Sequence, residues 1–303
     1  MRMFFAGAEN KSHMRALYDC GVEKVLMSYF YIRRRSIDID EILDKFPQVV
    51  VDSGAFTMMG HGENVKKVTL QQHEDYLYDY LKFLVKYSGR FIWAANYDVD
   101  LVIGHNKVVE WNKLFEQLEE EYGQTVCYVA HDYANKFDVT KEYLDRYSYI
   151  GASSISDAQH INHTERFYIE ATKRKVRTHG FGFTAFVTEQ RFPYYTCDST
   201  TYLGGEKYGT TYVYNGAYFE TWDYKHKHYR KWLKRQCDEW GLDFNKILKD
   251  DSHEITRFNI KSWILNEELF DRRTKNRQWW MKYDEDFFRK IEREKILARK
   301  NQR

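Results

Sequence analysis

Eight short apolar runs, each followed by a polar or amphipathic stretch, punctuate the N-terminal two thirds of the chain, at residues 3–5, 24–28, 49–51, 91–95, 126–130, 149–151, 176–179 and 194–197. Apolar runs this short are strand-like. The intervening segments 12–18, 39–46, 70–87, 107–121, 140–147 and 162–172 place apolar residues at helical spacing, best seen in Leu77, Leu81 and Leu84. Strand and helix alternating at this period predict βα units and a largely parallel sheet. Eight such units close as a barrel or lie open as a doubly wound sheet, and the position of the polar residues favours closure. Asp52, Asp98, His131, Ser153, His179 and Asp198 all fall at or just after predicted strand ends. A barrel brings those ends to one mouth, whereas an open sheet spreads them along an edge. The predicted fold is therefore a (β/α)8 TIM-like barrel over residues 1–220, followed by a helical, basic, aromatic-rich extension over 221–303. The segment 180–192 is short for a crossover, so an abbreviated helix is expected there.

Composition narrows the class further. Of 303 residues, 43% are hydrophobic and 30% charged, with only two prolines, which excludes wholesale disorder and a collagen-like fibre. Cys20, Cys127, Cys197 and Cys237 stand far apart, so neither a disulfide framework nor a four-cysteine zinc site is signalled. No stretch approaches the about 20 apolar residues that span a bilayer, and no cleavable leader follows Met1. A reducing, cytoplasmic setting away from membranes is the expectation.

The net charge of +2 hides an asymmetry, because residues 271–303 carry twelve Lys or Arg against six Asp or Glu. A second basic run holds Lys225, Lys227, Arg230, Lys231, Lys234 and Arg235 with no acid between them. Such stripes neutralise phosphates, and Tyr229, Trp232, Trp279 and Trp280 are candidates for stacking on bases. A solvated helix face is the simpler alternative for either run.

The sharpest cluster begins at Val49-Val50-Val51-Asp52-Ser53-Gly54-Ala55-Phe56, where an apolar strand delivers a carboxylate, a hydroxyl and a glycine to the predicted mouth. Helix capping by Asp52 and Ser53 is the alternative reading. The fourth strand supplies Asp98, with Asp100 as an equally acidic substitute, and the eighth supplies Asp198. Carboxylates held close together disfavour one another's ionisation, so one can stay protonated as an acid while another remains an anion. Chemistry at a glycosidic carbon needs that pairing. Dinucleotide and P-loop glycine patterns are missing. The glycine-rich run Thr178-His179-Gly180-Phe181-Gly182 is a candidate cradle for a phosphate or ribose on the seventh strand. His131 with Asp132, or His179 with the aspartates, is a metal candidate that lacks the expected H-x-H on the first strand. His226, His228 and Cys237 match no common zinc spacing.

With these residues in view, the chain resembles the tRNA-guanine transglycosylases, and in character their phage and bacterial relatives that insert 7-deazaguanine into DNA. The family's D-S-G-G-F element is similar to Asp52-Ser53-Gly54-Ala55-Phe56, and its base-recognising aspartate matches Asp98. Its glycine-rich sixth-strand end matches Gly151-Ala152-Ser153-Ser154, and its nucleophile region is approximated by Thr196-Cys197-Asp198-Ser199-Thr200. The resemblance implies that Asp198 attacks C1′ of a guanosine nucleotide, that Asp52 is the acid or base, and that Asp98 binds the guanine-like edge. Gly151 and Ser153 would complete the pocket, and Phe56 or Tyr97 would stack on the base. Ser53, His179 and Gly180 would contact substrate.

Two features of the tRNA enzymes are missing: the structural zinc motif C-x-C-x-x-C and the P-T-R segment after the nucleophile. The resemblance therefore implies double-stranded DNA as the polymer partner, with tRNA the alternative, a free 7-deazaguanine as the incoming base, and no required cofactor. A non-catalytic nucleic-acid-binding barrel and a nucleoside hydrolase are the readings from other classes.

Overall fold

A computed structural model describes residues 2–35, 37–60, 68–132, 136–153, 161–182, 190–223 and 227–302. Its first eight strands are β1 (Arg2–Ala6), β2 (Lys24–Ser28), β3 (Gln48–Asp52), β4 (Ala94–Ala95), β5 (Val126–Ala130), β6 (Tyr149–Ser153), β7 (Arg177–Phe181) and β8 (Thr196–Ser199). Each pairs in parallel with the next, and β8 pairs with β1 through Met3↔Cys197 and Phe4↔Asp198 to close the barrel. The fold is the (β/α)8 barrel with a helical extension that the apolar periodicity predicts. Between the strands, the helices Lys11–Asp19, Ile39–Lys45, Leu70–Lys86, His105–Tyr122, Asp138–Arg146 and Ile161–Arg174 lie within a few residues of the predicted spans. Most of the expected short segment between β7 and β8 lies outside the described residues.

Side-chain alternation sorts the strands into two packed layers. Val25, Val49, Val51 and Val126 face the helices, whereas Phe4, Ala6, Leu26, Val50, Trp93, Ala95, Cys127 and Tyr149 fill the barrel interior. The same parity carries Asp52, two residues beyond Val50, to the inward face at the strand's end. Asp198 is the register partner of inward-facing Phe4 and shares its side of the sheet.

The fourth and eighth strands start later than expected, while the sixth and seventh each end two residues further on, at Ser153 and Phe181. The fourth is a strand only at Ala94–Ala95 rather than over 91–95, although the Ile92 N–H still donates to the Val49 carbonyl and the Val51 N–H to that of Trp93, and beyond Ala95 a side chain takes part in the pairing. Asn96 Oδ1 accepts the Val129 N–H at 2.9 Å, while its Nδ2 donates to Asn112. The eighth begins at Thr196 rather than at residue 194.

After the barrel, β9 (Thr210–Tyr214) and β10 (Phe219–Asp223) form an antiparallel hairpin around Asn215-Gly216, the turn signalled in the sequence. The hairpin spans residue 220 and packs on the helix Ser252–Thr274. Gly205 permits the helix to approach, since a Cβ there would lie 2.1 Å from Ile255 Cγ2. No helix among the described residues is long and apolar enough to cross a membrane.

The C-terminal segment folds back over the N-terminal end of the barrel. Trp279, Trp280 and Phe288 join the interior cluster with Phe4 and Tyr195, so the two tryptophans are buried and unavailable for stacking on bases. The helix Glu285–Lys300 is tied down by Arg2–Glu285 at 2.9 Å, Arg177–Glu292 at 3.2 Å and the buried pair Arg299–Glu119 at 2.5 Å. Lys295 donates to the carbonyls of Leu144 and Tyr147, and burial pushes its amine down to about 8. Much of the terminal positive charge thus serves internal contacts.

Candidate active site

At the opposite end, the loops after the strands surround a cavity of about 660 Å3. That size falls within the usual range of small-molecule sites, about 300–1,000 Å3. Asp52, Asp98 and Asp198 all line it, with Ser28, Phe56, Val129, His131, Phe181 and Gly182. The three carboxylates singled out in the sequence therefore share one concavity.

Asp52 ends β3, and the chain turns sharply behind it. Gly54 has φ +79°, donates its N–H to Asp52 Oδ2 at 3.0 Å, and leaves no room for a Cβ, which would stand 2.5 Å from Phe30 Cβ. Burial raises the Asp52 carboxyl to about 7, reinforced by the negative charges of Asp98 and Asp198. The Gly54 N–H and the Ser28 hydroxyl oppose that rise. Asp52 is thus poised to give and take a proton near neutrality.

Asp98 lies three residues beyond β4, in the loop that Asn96 ties to β5. Its Oδ2 faces His131 Nε2 at 3.2 Å, and His131 Nδ1 faces Asp100 Oδ1 at 2.5 Å. Burial alone would lower the imidazole, but hydrogen bonds to Asp100 and Asp98 outweigh it and hold His131 at about 10. Both ring nitrogens then carry protons and donate. Asp98 and Asp100, alternatives in the sequence, act together as the two clamps on one imidazolium. Ser53 is fully buried and lies behind Asp98, with Oγ 3.5 Å from Asp98 Oδ1.

Asp198 Oδ1 accepts from the Gly182 N–H at 2.9 Å and from His179 Nε2 at 3.2 Å. Oδ2 takes no hydrogen bond from a described residue. His179 is fully buried against Trp93 and Phe181, and burial lowers its pKa. A neutral ring donating through Nε2 must accept at Nδ1, where Thr196 Oγ1 lies at 2.8 Å. Tyr149 OH hydrogen-bonds that same hydroxyl. The chain Tyr149–Thr196–His179 fixes the imidazole tautomer and through it the Asp198 carboxylate.

The remaining sequence-derived residues separate by position. Phe56 is 69% exposed and lines the cavity, so its ring is accessible to a ligand. Tyr97 cannot stack on one: it is fully buried, stacked on Trp111, and its OH lies 2.7 Å from His73 Nδ1. Extended pairing stops at Ala95, and with it the alternation that would turn Tyr97 inward. Gly151 acts by making room, since a Cβ there would fall 2.5 Å from Phe181 Cε2. Gly180 is buried in β7 opposite Cys197, and the N–H that reaches Asp198 comes from Gly182, at φ +59°. Ser153 ends β6, with its side chain outside the described residues.

Of the basic run, Lys225 lies outside the described residues, while Lys227, Arg230 and Lys231 are exposed. Lys234 pairs with Asp238 at 2.7 Å and Arg235 with Glu239 at 3.0 Å along the helix Arg230–Trp240. Exposed pairs of this kind are worth about 0.3–0.5 kcal/mol, so a phosphate can compete for either cation. Tyr229 already stacks on Trp222, and Trp232 packs on the cluster around Leu233 and Phe258.

Sequence reasoning passed over Glu9, His13, Arg35 and Lys207, which also line the cavity. Among the described residues, no group of three or more His, Cys, Asp or Glu side chains is arranged to hold a metal ion.

A closed parallel barrel with a polar cavity at the C-terminal ends of its strands defines the TIM-barrel class, in which characterised enzymes place their chemistry at this face. The fold alone accommodates an enzyme or a nucleic-acid-binding protein. No known protein-family model matches the chain, and no curated protein matches it in sequence.

Proposed function

We propose that this protein is a glycosyltransferase that exchanges guanine in DNA for a 7-deazaguanine base. The observation that carries the reading is the convergence of Asp52, Asp98 and Asp198 on one cavity. In the first displacement, Asp198 Oδ2 attacks C1′, the C1′–N9 bond breaks with its electron pair going to guanine, and Asp52 supplies the proton that lets the base leave neutral. In the second, the incoming base loses its N9 proton to Asp52, N9 attacks C1′, and the ester to Asp198 breaks. Protons and charges balance across the two halves, and no cofactor enters. The Asp52 carboxyl at about 7 suits both transfers. Asp98, steadied by His131 and Ser53, offers an acceptor to the donor edge of a guanine-like base, and Phe56 offers a ring face.

Reaching C1′ within a duplex requires extrusion of the nucleotide, opposed by a few kcal/mol of unstacking. Phosphate contacts offset that cost. Lys207 at the rim belongs to the helix Gly204–Tyr208, which packs on β9, and β9 contacts the basic helix Arg230–Trp240; this continuity supports a polymer track leading to the mouth. Purified protein incubated with duplex DNA, tRNA and labelled 7-deazaguanine tests the reading. Label in DNA and release of guanine are expected. Label in tRNA alone would move the substrate to RNA, and label in neither would refute exchange.

A further inference from the structure

Glu9 lies in the loop between β1 and the helix Lys11–Asp19 and lines the cavity, yet the two displacements give it no task. It is 93% buried by its 7% exposure, and its Oε2 has no hydrogen-bond partner among the described residues. Burial raises its carboxyl to about 7, against the pull of its own backbone N–H, Arg35 and the Ser28 backbone. A desolvated acceptor left without a donor is costly to maintain, and a bound molecule is the natural source of the missing donor. The other carboxylates of the cavity are better supplied. Asp52 has the Gly54 N–H, Asp98 has His131 and Ser53, and Asp198 has Gly182 and His179.

We propose that Glu9 is a further recognition residue of this cavity, its Oε2 accepting a hydrogen bond from a nitrogen donor on the bound base. This rests on the base-exchange reading and adds a specificity determinant to it. Away from N9, whose proton goes to Asp52, two parts of a guanine-like base can carry such a donor: the N1–H and 2-amino edge, or an amine borne on a substituent at position 7. Enzymes that hold an extruded base read it by hydrogen bonds of the first kind, and a buried carboxylate serves the second equally well.

Calorimetric titration of the full-length protein and of Glu9→Gln with three bases tests the assignment. The probes are guanine, hypoxanthine, which lacks the 2-amino group, and 7-deazaguanine carrying an aminomethyl group at C7. Gln is isosteric and removes a charge from a buried position, so the variant is expected to fold, as thermal melting will show. Glu9→Asp, which keeps the charge but withdraws it by one methylene, serves as the second variant. Loss of about tenfold or more in affinity for guanine assigns Glu9 to the base edge, at the 2-amino group where hypoxanthine is little changed and at N1–H where hypoxanthine weakens with it. A loss confined to the aminomethyl base assigns it to the substituent. Unchanged affinity for all three bases in both variants would overturn the proposal while leaving base exchange intact. Failure of the wild-type protein to bind any of them would overturn the base-exchange reading itself, and this inference with it.

Discussion

His179 Nε2 stands 3.2 Å from Asp198 Oδ1, with the far side of its ring held by Thr196 and, through it, Tyr149. A buried neutral imidazole donating to one carboxylate oxygen aims the other without competing for its charge. If Asp198 is the nucleophile, Asp198→Asn should reduce exchange about a thousandfold or more. His179→Gln, which keeps a donor but loses the ring, should lower kcat more than it raises KM. Steady-state kinetics of both variants separate orientation from binding.

Asp52 ties activity to pH. Its carboxyl at about 7 must be protonated to release guanine and ionised to accept the incoming proton, so the rate should be greatest near neutrality and fall on both sides. The sign for stability is opposite to that of an ordinary paired acid. Because the folded state holds this proton more tightly than the unfolded chain, Asp52 makes the protein less stable as pH rises from about 4 to 7. Asp52→Asn should abolish exchange yet raise the melting temperature at pH 8, with the difference shrinking at pH 4. Thermal melts at the two pH values check this.

Gly54→Ala should be among the most damaging single substitutions in the barrel mouth. It combines a left-handed backbone position with a 2.5 Å approach to Phe30 Cβ, for a cost of about 2–4 kcal/mol in denaturant unfolding. Gly151→Ala should act differently. The displaced Phe181 ring lines the cavity, so ligand affinity should fall while global stability drops by only about 1–3 kcal/mol.

Much of this arrangement was legible in the sequence, for reasons that also mark the limits. A strand's end can be read from where an apolar run stops, and Asp52 and Asp198, at or near the ends of β3 and β8, line the cavity there. Tyr97 was misplaced because β4 ends at Ala95, where the Asn96 side chain takes over from backbone pairing. Trp279 and Trp280 read as surface stackers amid basic neighbours, but the open base of the barrel offered them an apolar interior, worth about 1.5–3 kcal/mol for a large side chain. Glu9 carries no local signal and becomes buried only through contacts between segments remote in the chain, while Gly182 belongs to the glycine-rich run read as a cradle, which by itself does not say that its N–H reaches Asp198.

The C-terminal helix should prove essential to folding. Arg299→Ala takes the cation from a Glu119 carboxyl that burial already raises to about 8, leaving a buried polar group short of its partner, and should cost about 1–3 kcal/mol, whereas Arg235→Ala on the exposed helix should cost under about 0.5 kcal/mol. Urea unfolding of the two variants side by side tests the contrast between internal and surface-exposed charge.

The most direct test of the mechanism is capture of the ester it requires. Protein mixed with guanine-containing duplex DNA in the absence of an incoming base, then denatured and examined by intact mass spectrometry and peptide mapping, should yield a DNA adduct on the peptide carrying Asp198. The adduct should vanish in Asp198→Asn and disappear on addition of 7-deazaguanine. Base exchange that proceeds undiminished in Asp198→Asn, or an adduct mapped to another residue, would contradict the account.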